Sequence, residues 1–162
     1  MPDRPLILRI PDGLMASGSA MAEFLPVMAL ADLPDGAMRR VTHGDLDVLV
    51  ANTPAGLLAT DDRCPHMSAP LSLGRLEDCV VDCPLHSGRF DLASGDIVQF
   101  PTTGGLDPDG LSHPPWRSPD SPPKPEPTDS KAVARAATRV RRLRYYRLRV
   151  TDGIVEVALP TP

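Results

Sequence analysis

Aromatic residues are scarce in this chain: three Phe, two Tyr and one Trp among 162 residues. Cysteine is scarcer still relative to what a disulfide scaffold needs. Three Cys leave no pair for a bridge once two of them are claimed by the clusters described below, so a reducing cytoplasm is the expected setting. No run of about 18 apolar residues exists, which excludes a membrane-spanning helix. The N-terminus, MPDRPLILRIPDGLMASGSA, lacks the basic-then-apolar order of a secretion signal, and the pair Arg39–Arg40 lies too deep to serve as an export signal. Sustained helical periodicity is also missing. The net charge of −4 is small and hides an asymmetry. Residues 1–130 carry nine Lys/Arg against nineteen Asp/Glu, a net −10, and residues 131–162 carry eight against two, a net +6.

Proline and glycine are plentiful, at 20 and 12 residues, so turns and loops take much of the chain. From Phe24 onward short strand patterns alternate with turn residues. AMRRVT and LDVLVA read as a hairpin turning at Gly44 and Asp45, with Val41, Val48 and Val50 on its strands. GRLEDCVVDC reads as one strand carrying Leu76, Cys79 and Val81, with Cys79 an inert core thiol. RFDLASGDIVQF reads as a hairpin turning at Ser94, Gly95 and Asp96, and LRYYRLRV pairs with IVEVAL across Thr151–Gly153. The pattern predicts an all-β, antiparallel architecture over residues 21–160. Two segments stand outside it. Residues 1–20 read as an unpatterned, dispensable extension, and Met21 is a candidate alternative start. Residues 104–134 hold prolines at 108, 114, 115, 119, 122, 123, 125 and 127 and read as a disordered insertion between two strands.

Two of the three cysteines and two of the four histidines fall into matched clusters, Cys64-Pro65-His66 and Cys83-Pro84-Leu85-His86. Thiolate and imidazole are the ligands of borderline and soft metals. A four-coordinate structural zinc is one reading of such a set. Zinc sites more often draw two Cys from one knuckle and two His from another, whereas each loop here offers one of each, which suits a binuclear cluster with chemically distinct irons. The other histidines, His43 at a hairpin tip and His113 in the Pro-rich stretch, read as surface residues. The run RVRRLRYYRLRV alternates arginine with Tyr146, Leu148 and Val150, as a half-buried strand with a solvated basic face does. A docking patch for an acidic protein is the second reading of that run, and nucleic acid is not expected as a partner.

The stretch CPHMSAPLSLGRLEDCVVDCPLHSGRFDLASGDIVQFP resembles the signature of the Rieske [2Fe–2S] family, and the flanking strands resemble those of small Rieske ferredoxins. The resemblance spans roughly residues 24–101 and resumes from about 137 to 159. It implies an antiparallel β-sandwich or barrel with a small cluster-binding subdomain, here with a Pro-rich insertion. It also implies that Cys64 and Cys83 ligate the inner iron of a [2Fe–2S] cluster and His66 and His86 the outer one, and that Pro101 opens a third, shielding loop. The chain departs from the family in having Met67 and Ser68 where many members have Arg-Gly, and Ser87 where they often have Gly.

Several kinds of Rieske protein can be set aside. A membrane-anchored respiratory subunit carries a cysteine in each cluster loop, at positions that are Ala69 and Leu85 here. An oxygenase needs a second metal site, and only His43 and His113 remain. The resemblance therefore implies not an enzyme but a soluble, cytoplasmic one-electron carrier. Its partners would be a flavin-dependent reductase and the terminal oxygenase of a ring-hydroxylating dioxygenase, with no nucleic acid and no membrane involved. The alternative is the small Rieske subunit of an assimilatory nitrite reductase. High-potential relatives use a disulfide and a donating Tyr; the chain lacks the first and has Phe90 at the place of the second, so a potential at the low end of the Rieske range is expected.

Overall fold

The computed structural model describes residues 5–114, 119–120 and 130–160. Strand β1 (Phe24–Ala29) is followed by β2 (Met38–His43), β3 (Leu46–Thr53) and β4 (Gly56–Asp61). The next four strands are short: β5 (Arg75–Glu77), β6 (Val80–Asp82), β7 (Arg89–Asp91) and β8 (Ile97–Gln99). A two-residue ladder of β9 (Gly105–Leu106) and β10 (Ser112–His113) comes next, then helix α1 (Ser130–Ala136). The chain ends its described course in β11 (Tyr145–Tyr146), β12 (Leu148–Thr151) and β13 (Ile154–Ala158). All strand pairings between these elements are antiparallel, as the sequence pattern predicts.

The strands form a central sheet of order β11-β4-β3-β2, an outer sheet β1-β13-β12 and a cluster-side sheet β5-β6-β7-β8. The central sheet is apolar on both faces because alternate side chains of a strand point to opposite sides. Val48 and Val50 of β3, with Leu57 and Ala59 of β4, pack with Tyr146, Val155 and Val157 toward the outer sheet. Leu49 and Ala51, with Leu58, pack on the other side with Val81, Phe90, Leu92 and both Cys64 and Cys83. Residues 48–51 are fully buried, which a one-faced sheet would not require. The candidate ligands thus sit on a wall of close-packed aliphatic side chains rather than on free loops.

Three expectations need correction. GRLEDCVVDC is not one strand but the hairpin β5–β6, turning at Asp78 (φ 52°) and Cys79. Cys79 is therefore half-buried in a turn, where its carbonyl accepts the Leu92 amide at 2.7 Å, and is not a core strand residue. The expected disordered stretch 104–134 begins with the β9–β10 ladder and ends in α1, and His113 is stacked on Phe100 with ring centroids 3.9 Å apart. Residues 115–118 and 121–129 of that stretch lie outside the described residues.

The third correction concerns the N-terminal extension, which is laid along the domain. Leu57 donates to Leu6 and Leu8 donates to Leu57 at 2.8 and 2.9 Å, and Ala16 and Tyr145 are bonded through Ala16 N–H to Tyr145 at 2.8 Å. Leu8, Ile10 and Leu14 pack on the cluster-side core. Gly56 (φ 124°) makes room for this segment, since a Cβ there would meet the Leu8 nitrogen at 2.8 Å. The open edge of β4 beyond its short pairing with β11 is thereby covered.

Candidate metal centre

Asp62, at the end of β4, anchors the first cluster loop. Its carboxylate is buried and accepts the amide and hydroxyl of Ser72, with Arg40 Nε 3.6 Å away, so the buried charge is paired. Two residues later the chain turns sharply. Cys64 N–H donates to the Ala69 carbonyl at 2.7 Å and the Cys64 carbonyl accepts from Ser68 at 2.9 Å. The second loop, entered from β6, repeats the same bonds: Cys83 N–H to Gly88 at 2.8 Å, and Ser87 N–H to Cys83 at 3.2 Å. Ser68 and Ser87 each have φ 60°. The loops are therefore local copies of one another in which Cys64 matches Cys83 and Ser68 matches Ser87. His66 stands two residues after its cysteine and His86 three after its own, an offset that spacing alone does not align.

These are the positions, Gly in the family that the sequence resembles, at which the chain carries serine. Left-handed backbone explains why glycine is the common choice there, and why serine at both costs some backbone strain.

The two cysteines and two histidines come together as the spacing suggested, and they do so in pairs. Cys64 and Cys83 are both buried, at 2% and 4% exposure, with their sulfurs in hydrogen-bond contact. Cys83 is pulled down to about 6, first by the Cys64 thiol donating to it, and Cys64 is pushed up by the same bond and by burial. In each loop the amides two and three residues on, His66 and Met67 in one and Leu85 and His86 in the other, point at the sulfur and favour thiolate. The imidazoles meet edge to face, with centroids 5.2 Å apart at 77°. Burial, then the neighbouring His86, pulls His66 down to about 4, so its ring is neutral with a free lone pair at neutral pH.

The donor set fits a binuclear iron–sulfur group. His86 Nδ1 is buried with no hydrogen-bond partner, as a metal-facing nitrogen must be. Two neutral imidazoles form one pair and two thiol sulfurs the other. Among the described residues no three His, Cys, Asp or Glu side chains converge as they would around a single ion. That geometry suits two metal positions better than one tetrahedral zinc.

Sequence reasoning missed several supports. Thr103 places its hydroxyl oxygen 3.4 Å from His66 Nε2, the nitrogen on the far side of the ring from Nδ1. Thr102 N–H donates to the His86 carbonyl at 2.8 Å, and Gln99 Nε2 donates to the Ser87 carbonyl at 2.8 Å. The segment from Phe100 to Gly104 is thus the third loop that Pro101 was expected to open, and Pro101 itself lies against Gly88. Only that proline signalled it in the sequence. His43 remains at its hairpin tip, and His113 Nε2 lies within hydrogen-bond distance of Asp107 Oδ2, at 2.9 Å.

Comparison with known proteins agrees with this geometry. The family described as "Rieske [2Fe-2S] domain" matches residues 23–110, more than half of the chain. The ferredoxin component of the naphthalene 1,2-dioxygenase system of Pseudomonas putida is 35% identical over 84 residues, covering 52% of this chain and 81% of that protein. The ferredoxin subunit of 3-phenylpropionate/cinnamic acid dioxygenase from Photorhabdus laumondii is 38% identical over 81 residues, covering 49% and 76%. A chain in the complex of reduced oxygenase and oxidized ferredoxin of carbazole 1,9a-dioxygenase superposes with a TM-score of 0.53 at 26% identity, covering 83% of this chain and 100% of that one. On fold, paired donors and sequence together, the chain belongs to the Rieske [2Fe–2S] domain family.

Proposed function

We propose that Cys64 and Cys83 hold one iron and His66 and His86 the other iron of a [2Fe–2S] cluster, and that the chain carries single electrons from a flavin-dependent reductase to a terminal oxygenase in the cytoplasm. The observation that carries this reading is the meeting of two copied loops, sulfur against sulfur on the buried side and imidazole against imidazole on the outer side. The cluster, when bound, supplies a site that accepts and returns one electron. The protein's part is to hold it still and to insulate one side. Leu49, Val81 and Phe90 exclude water behind the sulfurs. Four loop amides aim at the two sulfurs and spread their negative charge. On the outer side Met67 and Leu85 remain 44% and 56% exposed, an apolar rim against which a partner can press and exclude water. Among the described residues no helix is long and apolar enough to cross a membrane. The relatives named above are ferredoxin components of dioxygenase systems, which favours this carrier role over the nitrite reductase alternative.

Phe90, fully buried among the sulfurs' neighbours, has no hydroxyl to donate, and Ser87 holds its place through backbone bonds. The potential should therefore lie toward the bottom of the roughly −150 to +300 mV Rieske range. Anaerobically purified protein is expected to contain about two irons and two acid-labile sulfides per chain. Voltammetry should give that low midpoint, and Cys64→Ser or Cys83→Ser should abolish assembly. One zinc per chain without sulfide would reject the reading.

A further inference from the structure

The eight basic residues of 131–162 do not share one fate. Arg147 and Arg149 stack over the Phe24 ring, 5.0 and 4.2 Å from its centroid; Arg147 donates to the Ala22 carbonyl and Arg149 pairs with Glu156. Arg142 is tied to Asp96 at 2.9 Å and to the Ser94 carbonyl. Those three are structural. Arg139, Arg141 and Arg144 are exposed, and among the described residues none of the three has a carboxylate within ion-pair distance.

The fold sets these three beside the cluster loops. The return segment 138–144 leaves β9, where Val140 N–H donates to Leu106 at 2.7 Å, passes the first loop, where Arg141 N–H donates to Pro65 at 3.3 Å, and reaches the β7–β8 turn, where Leu143 N–H donates to Gly95 at 3.2 Å. Val140 and Leu143 face the core at 0% and 1% exposure, so the intervening arginines are turned outward. Pro65 lies between two of the proposed ligands, Cys64 and His66. A shallow surface groove on this side is lined by Arg139, Arg141, Arg142 and Arg144 and by no carboxylate. A second groove beside the first loop is lined by Arg141, Arg142 and Arg144 together with Asp45, Asp47 and Asp61; there Asp47 is engaged by Arg40 and Arg63, and Asp61 by the Tyr146 hydroxyl.

We propose that Arg139, Arg141 and Arg144 form a docking edge for an acidic face of an electron-transfer protein, orienting that partner against the rim of the first cluster loop. The proposal rests on the carrier reading above. A cationic patch on a chain whose residues 1–130 are net acidic favours approach of an acidic partner at this face, so it selects orientation as well as identity. Its contribution falls mainly on association, and salt must weaken it.

The test uses the cluster-loaded full chain and a flavodoxin, a small acidic flavoprotein, as the electron donor. One electron passes from the anionic flavin hydroquinone to the oxidised cluster, leaving the neutral flavin semiquinone with its proton count unchanged. Stopped-flow measurement should give a second-order rate constant that falls as salt is added. Combined Arg139→Glu, Arg141→Glu and Arg144→Glu should slow the reaction about tenfold or more at low ionic strength and reverse the salt dependence. Lysine at the same three positions should keep the rate within about threefold. Arg39→Glu, on β2 at the opposite edge of the central sheet, should change it by less than that. A salt-insensitive wild type, an unchanged triple variant, or an equal loss in Arg39→Glu would each overturn the proposal, as would salt-sensitive capture of duplex DNA by this patch in place of any rate effect. If the triple variant loads no cluster, Arg139→Gln with Arg144→Gln takes its place beside the wild-type salt dependence. Protein without iron and sulfide fails the carrier reading; loaded protein with no salt dependence fails this proposal alone.

Discussion

Ser68 and Ser87 occupy the two backbone positions that make the cluster loops copies of each other, and both do so at φ 60°. A non-glycine residue there costs about 1–2 kcal/mol, partly offset because glycine would gain more freedom in the unfolded chain. Ser68→Gly and Ser87→Gly are each expected to stabilise the loaded protein by about 0.5–1 kcal/mol. Thermal unfolding followed at the cluster's visible absorption reads this directly, and a lower midpoint for both variants would show that the serine side chains hold something the backbone does not. The same residue scale explains the histidine offset. His66 and His86 lie at unlike spacings from their cysteines because one ring enters the pair from each of two matched loops, and matched loops facing each other need not present the same position.

At the scale of elements, the turn into β5 depends on a missing side chain. Gly74 follows the single turn Leu71–Leu73, and a Cβ on it would fall 1.8 Å from the Asp82 carbonyl oxygen, at the end of β6 and next to Cys83. Its φ of −85° is open to any residue, so the constraint is space. Neighbouring backbone, unlike a side-chain tip, cannot swing aside. Gly74→Ala should cost about 3 kcal/mol and loosen the second loop. The expected result is a melting midpoint lowered by several degrees and faster loss of the visible chromophore on dilution into chelator. An unchanged midpoint would mean that β5–β6 can shift as a unit.

At the scale of the whole molecule, the N-terminal segment is part of the structure. Leu8, Ile10 and Leu14 lie on the cluster-side core, Ala16 is buried in the other core, and backbone bonds join the segment to Leu57 and Tyr145. A chain started at Met21 would uncover the edge of β4 and three aliphatic contacts, a loss of about 2–4 kcal/mol at partial burial. Such a chain should still bind iron and sulfide, because no loop residue is removed. It should melt several degrees lower and aggregate more readily through the exposed edge. Equal stability of the two chains in thermal unfolding would restore the expectation that the segment is dispensable.

The candidate ligands were legible in the sequence because thiol and imidazole are rare here and their chemistry depends on residue type, which no folding is needed to read. The hairpins turning at Gly44–Asp45 and Ser94–Asp96 were legible for a related reason: turn residues and alternating strands are local signals. GRLEDCVVDC misled because a tight turn can be made by Asp78 in a left-handed conformation with no glycine to announce it. The N-terminal segment misled because its apolar residues follow no period; their burial is decided by a distant strand edge and by Gly56. Tertiary structure alone brought Arg141 to Pro65, 76 positions away in numbering, and divided a single arginine-rich run into side chains that hold the fold and side chains that face outward. A sequence determines which groups a chain can offer. Where they meet depends on long-range packing, because burial and charge pairing are settled between segments that share no local pattern.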